Sequence, residues 1–307
     1  MSTTSFDYAL VDVFAEHPLE GNQLAIFTDA RGLSDQQMQA LARETNLAET
    51  TFILPSGDPA NEREQGVRVR IFTVQEELPF AGHPTLGTSS WLFWNRPDVI
   101  RTVNGIPTVT LALNAGPITV QFETPDPARP GLFGTMAQLD PVFGPVHLPE
   151  EVARVLNLSL DDLDLTSPIQ TVSTGLPFVI LPFRTLEAIQ RLEIPQAAAR
   201  RWLDQVGAKF FFCVAPAHPD SGAQFHNRLQ FYAGEDPATG SASGCAIAWL
   251  VRHQRVASGQ PIIFEQGIEI LRPSRIHVRA SLADNKVSDV FVGGRTIPVA
   301  MGRFFLP

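Results

Sequence analysis

Apolar and polar positions change period repeatedly along this chain. Residues 67–74 read Val-Arg-Val-Arg-Ile-Phe-Thr-Val, the two-residue alternation of a half-buried strand. Residues 6–14 and 21–27 read as strands on either side of a Pro-containing turn, and Thr50-Thr-Phe-Ile-Leu54 is β-branched and aromatic. Ser34 to Thr45 has helical spacing with Ser34 as N-cap. Residues 108–113 and 118–122 predict a hairpin turning at Asn114-Ala-Gly-Pro117. Thr124-Pro-Asp-Pro-Ala-Arg-Pro130 opposes regular structure and predicts a linker. Beyond it a helix is expected near Leu148, with Pro149, Glu150 and Glu151 in its first turn. Strands follow at 169–173, 178–182, 209–215 and 228–232. The chain closes on strand-like runs at 262–264, 276–281 and 290–305, with Val292-Gly-Gly-Arg295 read as a turn.

Two segments break this rhythm in the same way. Glu77–Gly87 (ELPFAGHPTLG) and Glu235–Gly244 (EDPATGSASG) each lead into an apolar run that reads as a helix, Thr88 to Trp94 and Cys245 to Val251. Asp236 and Thr239 suit an N-cap, and Pro237 a first helical turn. A strand precedes each segment and strands follow each helix. This recurrence predicts an α+β chain of two pseudo-symmetric domains, each a central helix wrapped by a curved mixed sheet. The halves are 1–123 and 124–295, with the C-terminal strand 296–307 joining the first. A doubly wound parallel sheet fits less well, because strands cluster without a helix between each pair.

Composition narrows the function. The 307 residues are 44% apolar and 18% charged, enough for two ordinary cores. The net charge of −9 comes with no Lys/Arg-rich block, which argues against nucleic acid as a partner. No apolar run reaches the length of a membrane span and no signal peptide is legible, so the cytoplasm is the expected location. Cys213 and Cys245 lie in apolar runs and read as core residues rather than zinc ligands. No Walker loop, dinucleotide fingerprint or HExxH is present, so no nucleotide, flavin or metal is implied.

The candidate chemistry gathers at the two Gly-rich segments and at one carboxylate. Free amides at a helix start form a site for an anion, and two such starts suggest one pocket built for a small carboxylate. Gly240 and Ser241 can present amides and a hydroxyl, while Asp236 can accept a substrate N–H. Capping by Asp236 and Thr239 is the plainer reading and is compatible with this one. Pro84 confines His83 to extended geometry just before the helix, where it can bind an oxygen or cap the turn. Glu49 falls between a helix end and a β-branched strand. Partial burial there would raise its pKa and suit proton transfer, although spacing alone favours a solvated helix-terminal Glu. The letters of Gly240-Ser-Ala-Ser-Gly244 lack the central Ser of a nucleophile elbow, which disfavours hydrolysis.

Taken together, Val13-Phe-Ala-Glu-His-Pro-Leu-Glu-Gly-Asn22, Asn46-Leu-Ala-Glu-Thr-Thr-Phe52, Leu78-Pro-Phe-Ala-Gly-His-Pro-Thr-Leu-Gly87 and Glu235-Asp-Pro-Ala-Thr-Gly-Ser-Ala242 resemble the PhzF phenazine-biosynthesis family. The resemblance runs through the whole chain in order. It implies the diaminopimelate-epimerase-like fold, a cleft between the halves and a homodimer. It also implies cofactor-free isomerisation of trans-2,3-dihydro-3-hydroxyanthranilate or a similar small carboxylate. Glu49 then becomes the acid/base that carries a proton from C3 to C1. His83, Asp236 and Ser241 bind and polarise the substrate, and Gly82, Thr239 and Gly240 belong to the amide-bearing turns. Related epimerases place a cysteine in each turn, and both turns here lack one. An amino-acid racemase and a non-catalytic small-molecule binder are the alternatives. Two departures bear on the pocket: Gln23 stands where the family usually has Pro, and Ala233–Glu235 makes a short approach to Asp236.

Overall fold

The computed structural model describes residues 4–232 and 234–306; Ala233, in the short approach to Asp236, lies outside the described residues. The chain forms two compact units, Met1–Met136 with Gly293–Pro307, and Ala137–Val292. The first contains β1 (Thr4–Val13), β2 (Asn22–Phe27), α1 (Asp35–Thr45), β3 (Thr50–Ile53), α2 (Pro59–Gln65), β4 (Val67–Phe72), β5 (Glu77–Leu78), α3 (Gly82–Asn95), β6 (Arg101–Val103), β7 (Ile106–Leu113), β8 (Gly116–Phe122) and β9 (Leu132–Ala137). The second contains β10 (Val142–Val146), α4 (Pro149–Leu156), β11 (Gln170–Ser173), β12 (Pro177–Pro182), α5 (Leu186–Gln190), α6 (Gln196–Val206), β13 (Phe210–Pro216), β14 (Phe225–Arg228), β15 (Gln230–Phe231), β16 (Gly234–Glu235), α7 (Gly240–Arg252), β17 (Ile262–Gln266) and β18 (Ser274–Ala283). The last strand, β19 (Lys286–Leu306), begins in the second unit and ends in the first.

In the first unit β1 pairs antiparallel with β2 on one side and with β19 on the other, from Thr4↔Leu306 to Val13↔Thr296. β2 runs parallel to β3, β3 antiparallel to β4, and β4 parallel to β7, so the sheet is mixed. The Pro-rich segment 124–130 carries no helix or strand. It does not end the unit, because β9 folds back onto β8 at Val120↔Met136. α3 is buried from Gly82 through Ser90 and packs against β1, β2, β3, β7 and β8. Small residues make that possible, since Gly, Thr and Ser let strands approach a helix that has no polar face. A second cluster lies under α1, where Met38, Leu41 and Ala42 cover Phe27, Phe52 and Phe72. Ser34 caps α1 through a capping box with Gln37, and Asn46 ends the helix in the left-handed region.

The second unit is built by the same rules. β10, β11 and β12 are antiparallel, β12 is parallel to β13, and β14 is parallel to β17. α7 is buried at Gly240 and from Ala242 to Val251, and packs against β11, β12, β13 and β18. α4 and α6 cover the sheet with Val152, Leu156, Trp202 and Leu203 against Leu181, Phe183 and Phe211.

Three local expectations are corrected. α3 begins at Gly82, so His83 and Pro84 are helical rather than extended; a proline costs no hydrogen bond in a first turn, where its missing N–H has no intrahelical acceptor. α7 begins at Gly240, so Asp236 and Pro237 precede the helix and Pro237 is not in its first turn. Residues 292–295 are strand rather than turn. At Gly293 a Cβ would come 2.7 Å from the Gly134 carbonyl oxygen, so glycine serves close approach there rather than chain reversal.

Candidate active site

The first unit brings Glu49 and His83 together. α1 ends at Thr45, three residues reverse the chain, and Glu49 stands immediately before β3. Its side chain is 18% exposed and places Oε2 3.6 Å from His83 Nε2. His83, in the first turn of α3, is 6% exposed. Burial drives its pKa down to about 3, against a smaller opposing pull from a hydrogen bond to the Gln23 backbone. The imidazole is therefore neutral at pH 7. Its Nε2 finds no hydrogen-bond partner among the described residues. The Gln23 contact is to the main chain and does not depend on the glutamine side chain. A well-tied loop leads into it: Asp12 Oδ2 accepts from the Leu19 amide at 2.7 Å, and Phe14 and Leu19 adopt left-handed φ.

The N-cap of α3 is Ala81, which has no side-chain acceptor to give. Gly82 and His83 thus open the helix with amides that lack an intrahelical partner. The second unit repeats the device by another route. Thr239 is the N-cap of α7, yet its side chain caps no amide. Its hydroxyl donates instead to Asp236 Oδ2 at 2.5 Å. Gly240 is buried and Ser241 half-buried at the helix start. Gln138 Nε2 donates to the Gly240 carbonyl at 2.9 Å, and Gln138 Oε1 accepts from the Thr174 hydroxyl at 2.5 Å.

Behind Asp236 stands a buried ionic network. Arg228 makes a two-pronged pair with Glu235 at 2.8 and 2.6 Å and also donates to the carbonyls of Ile189, Gln190 and Leu192. His226 lies between Glu265 and Glu269, each 3.0 Å away. Sequence reasoning passed over Gln138, Arg228 and Gln266 and read His226 as a surface or structural residue, because most of their partners are distant along the chain. The legible signal was confined to Gln266, an amide closing the largely apolar strand Ile262–Gln266.

Both cysteines are buried in the second unit. Burial raises the Cys213 thiol far above its ordinary range and the Cys245 thiol to about 11, so neither supplies a thiolate. Among the described residues no group of three His, Cys, Asp or Glu is placed to hold a metal ion. A groove of about 340 Å³ in the first unit, lined by Asp35, Arg43, Arg70 and Glu77 among others, includes neither Glu49 nor His83. Its central Arg70 is saturated by Asp35 and Glu77, each 2.6 Å away.

The sequence model of the PhzC-PhzF family, described as phenazine biosynthesis-like protein, matches residues 11–302. The chain belongs to this family. It is 34% identical to a trans-2,3-dihydro-3-hydroxyanthranilate isomerase of Pseudomonas aeruginosa over 97% of this chain and 99% of that protein. Among solved structures, a predicted epimerase from Pseudomonas aeruginosa superposes with a TM-score of 0.80 at 35% identity, covering 97% of this chain and 99% of the other. A PhzF-family phenazine biosynthesis protein from Bacillus anthracis gives 0.84 at 26% identity, covering 99% and 100%. The mixed-sheet α+β fold is thus that of PhzF-family proteins, and the protein is an isomerase of this family. No helix among the described residues is long and apolar enough to cross a membrane.

Proposed function

We propose that this PhzF-family protein is a cofactor-independent isomerase of a small carboxylate resembling trans-2,3-dihydro-3-hydroxyanthranilate, with Glu49 as the proton carrier. The observation behind this reading is a part-buried carboxylate 3.6 Å from a buried, neutral imidazole at the start of a central helix. Glu49 takes a proton from C3 of the ring and returns one to C1. The C–H bond at C3 breaks, one at C1 forms, and the conjugated diene moves one position around the ring without net oxidation. His83 hydrogen-bonds a substrate oxygen beside the Gly82 amide. The substrate carboxylate rests on the Gly240 and Ser241 amides and the Ser241 hydroxyl, where fixed donors offset developing charge. Asp236, oriented by Thr239, takes the substrate N–H.

In this reading the two units are pseudo-symmetric, each wrapped around its buried helix, and both half-sites act on one molecule in a cleft. The functional form is a cytoplasmic homodimer.

The test is turnover of trans-2,3-dihydro-3-hydroxyanthranilate in heavy water. Wild-type protein should convert it with deuterium entering at C1, and Glu49→Gln should lower kcat by roughly 10²–10⁴-fold while the protein stays folded. Full activity in that variant would end the mechanism. A wild-type protein that left this substrate untouched, yet abolished the optical rotation of a single amino-acid enantiomer, would replace it with racemisation.

A further inference from the structure

The segment from Asp236 to Thr239 is held in place by Gln266, the last residue of β17. Gln266 is fully buried, in a strand whose Ile262 and Phe264 are core residues. Its Nε2 donates to the Asp236 carbonyl at 2.7 Å and to the Thr239 hydroxyl at 3.0 Å, and its Oε1 accepts from the Thr239 amide at 3.1 Å. The neighbouring backbone is seated on the same platform. Ser274 Oγ donates to the Pro237 carbonyl at 2.7 Å, and a Cβ on Gly267 would come 2.7 Å from that same oxygen.

These bonds decide which groups remain for a ligand. Gln266 consumes the Thr239 amide, and Asp236 consumes the hydroxyl that would otherwise cap α7. The next amides, at Gly240 and Ser241, have no intrahelical acceptor. One side chain thus ties the carboxylate that would orient the substrate to the amides that would bind it.

We propose that Gln266 is a positioning residue, fixing Asp236 and the start of α7 relative to each other. Its catalytic consequence rests on reading that helix start as the carboxylate cradle of the isomerase; its structural consequence does not. A buried amide in an apolar strand is expensive unless its bonds are made, and Leu would fill the same volume without that demand.

The experiment compares wild type, Gln266→Leu and Gln266→Glu as full-length proteins, with amide hydrogen exchange at Thr239 and turnover of trans-2,3-dihydro-3-hydroxyanthranilate as readouts. The Leu variant should lose exchange protection at Thr239 and fall about 10–100-fold in kcat/KM, the size expected from a small misplacement of binding groups. The Glu variant keeps an acceptor for the Thr239 amide but loses the donor. Its activity relative to wild type should recover as pH falls and its carboxyl protonates, a trend absent from the Leu variant. The Glu variant also carries the test if the Leu variant fails to fold. Thr239 protection unchanged in a folded Leu variant overturns the proposal, as does kcat/KM within twofold of wild type in the Leu variant, or in the Glu variant at neutral pH. If wild type does not turn this substrate over, the isomerase reading fails alone, and Thr239 exchange still decides the role of Gln266.

Discussion

Glu49 Oε2 lies 3.6 Å from His83 Nε2, and the imidazole is the more buried partner. Contact with a carboxylate ordinarily raises a histidine pKa. Here burial dominates and holds His83 down at about 3. At neutral pH the pair is therefore a carboxyl group beside a neutral ring. A neutral ring adds no positive charge of its own beside the Glu49 carboxyl.

His83 should consequently remain neutral throughout the working pH range. A side-chain nitrogen NMR titration should show no protonation of this ring between about pH 8 and pH 5. Its contribution to the pH dependence of kcat/KM should be nil over the same interval. A titration midpoint near the ordinary histidine value would remove the neutral-ring argument.

Close approach of β1 and β2 to α3 makes a second prediction. A Cβ on Gly87 would lie 2.7 Å from Leu24 Cδ2 and 2.8 Å from Val13 Cγ2. Both neighbours are fully buried, so one of them must shift within the core. Gly87→Ala should cost about 1–3 kcal/mol by overpacking, despite the better helix propensity of alanine. Urea unfolding measures it, and a variant as stable as wild type would show that the strands can yield.

Much of this was legible in the chain itself. The alternation at Val67–Phe72, the Asn114 hairpin and the Ser34 cap are local signals, and each element formed where its residues placed it. The buried cysteines were legible from their apolar neighbours, whereas spacing alone favoured a solvated Glu49 and the structure leaves its side chain only 18% exposed. What sequence missed was set by distance. The start of α3 was placed late, because Gly82 and Pro84 in a first turn look like loop residues until tertiary contacts enforce the helix. An Asp236 cap, in contrast, would have started α7 early, and Thr239 is its N-cap. α6 was passed over for want of a side-chain cap, and α2 was missed despite its Asp58 N-cap and Pro59, since it runs for only 7 residues. The bond between Thr239 and Asp236 joins near neighbours, but its direction depends on Gln266, a residue 27 positions further on.

That bond supports a third prediction. The Thr239 hydroxyl donates to Asp236 at 2.5 Å and accepts from Gln266. Thr239→Val keeps the shape and removes both bonds, one of them to a charged group and worth about 1.5–3 kcal/mol. Thr239→Ser keeps the hydroxyl. The Val variant should lose at least about tenfold in kcat/KM through misplacement of Asp236, and the Ser variant should stay close to wild type. Equal activity in the two variants would mean that Asp236 is oriented without the hydroxyl.

The last prediction concerns stability and pH, and it sets two buried histidines against each other. Desolvation alone would lower the pKa of His226, but hydrogen bonds and charges from Glu265 and Glu269 outweigh it and raise the pKa to about 9. Arg275 on Glu265 and Arg228 near Glu269 complete the surroundings. Folded protein keeps a proton on His226 that unfolded chain releases near pH 6.5, so this stabilisation is complete below 6.5 and is lost as pH rises towards 9. His83 acts in the opposite sense. Unfolded chain takes up a proton below 6.5 that the folded ring refuses until about 3, so stability falls as pH drops through that window. Glu265 and Glu269, both held below their ordinary values, add to the loss on the acid side. Urea midpoints should therefore peak near pH 6.5 and decline on both sides. His226→Gln should flatten the alkaline decline and cost roughly 3–5 kcal/mol at neutral pH, because buried Glu265 and half-buried Glu269 lose their shared cation. An alkaline decline of unchanged slope in that variant would assign the effect to other groups.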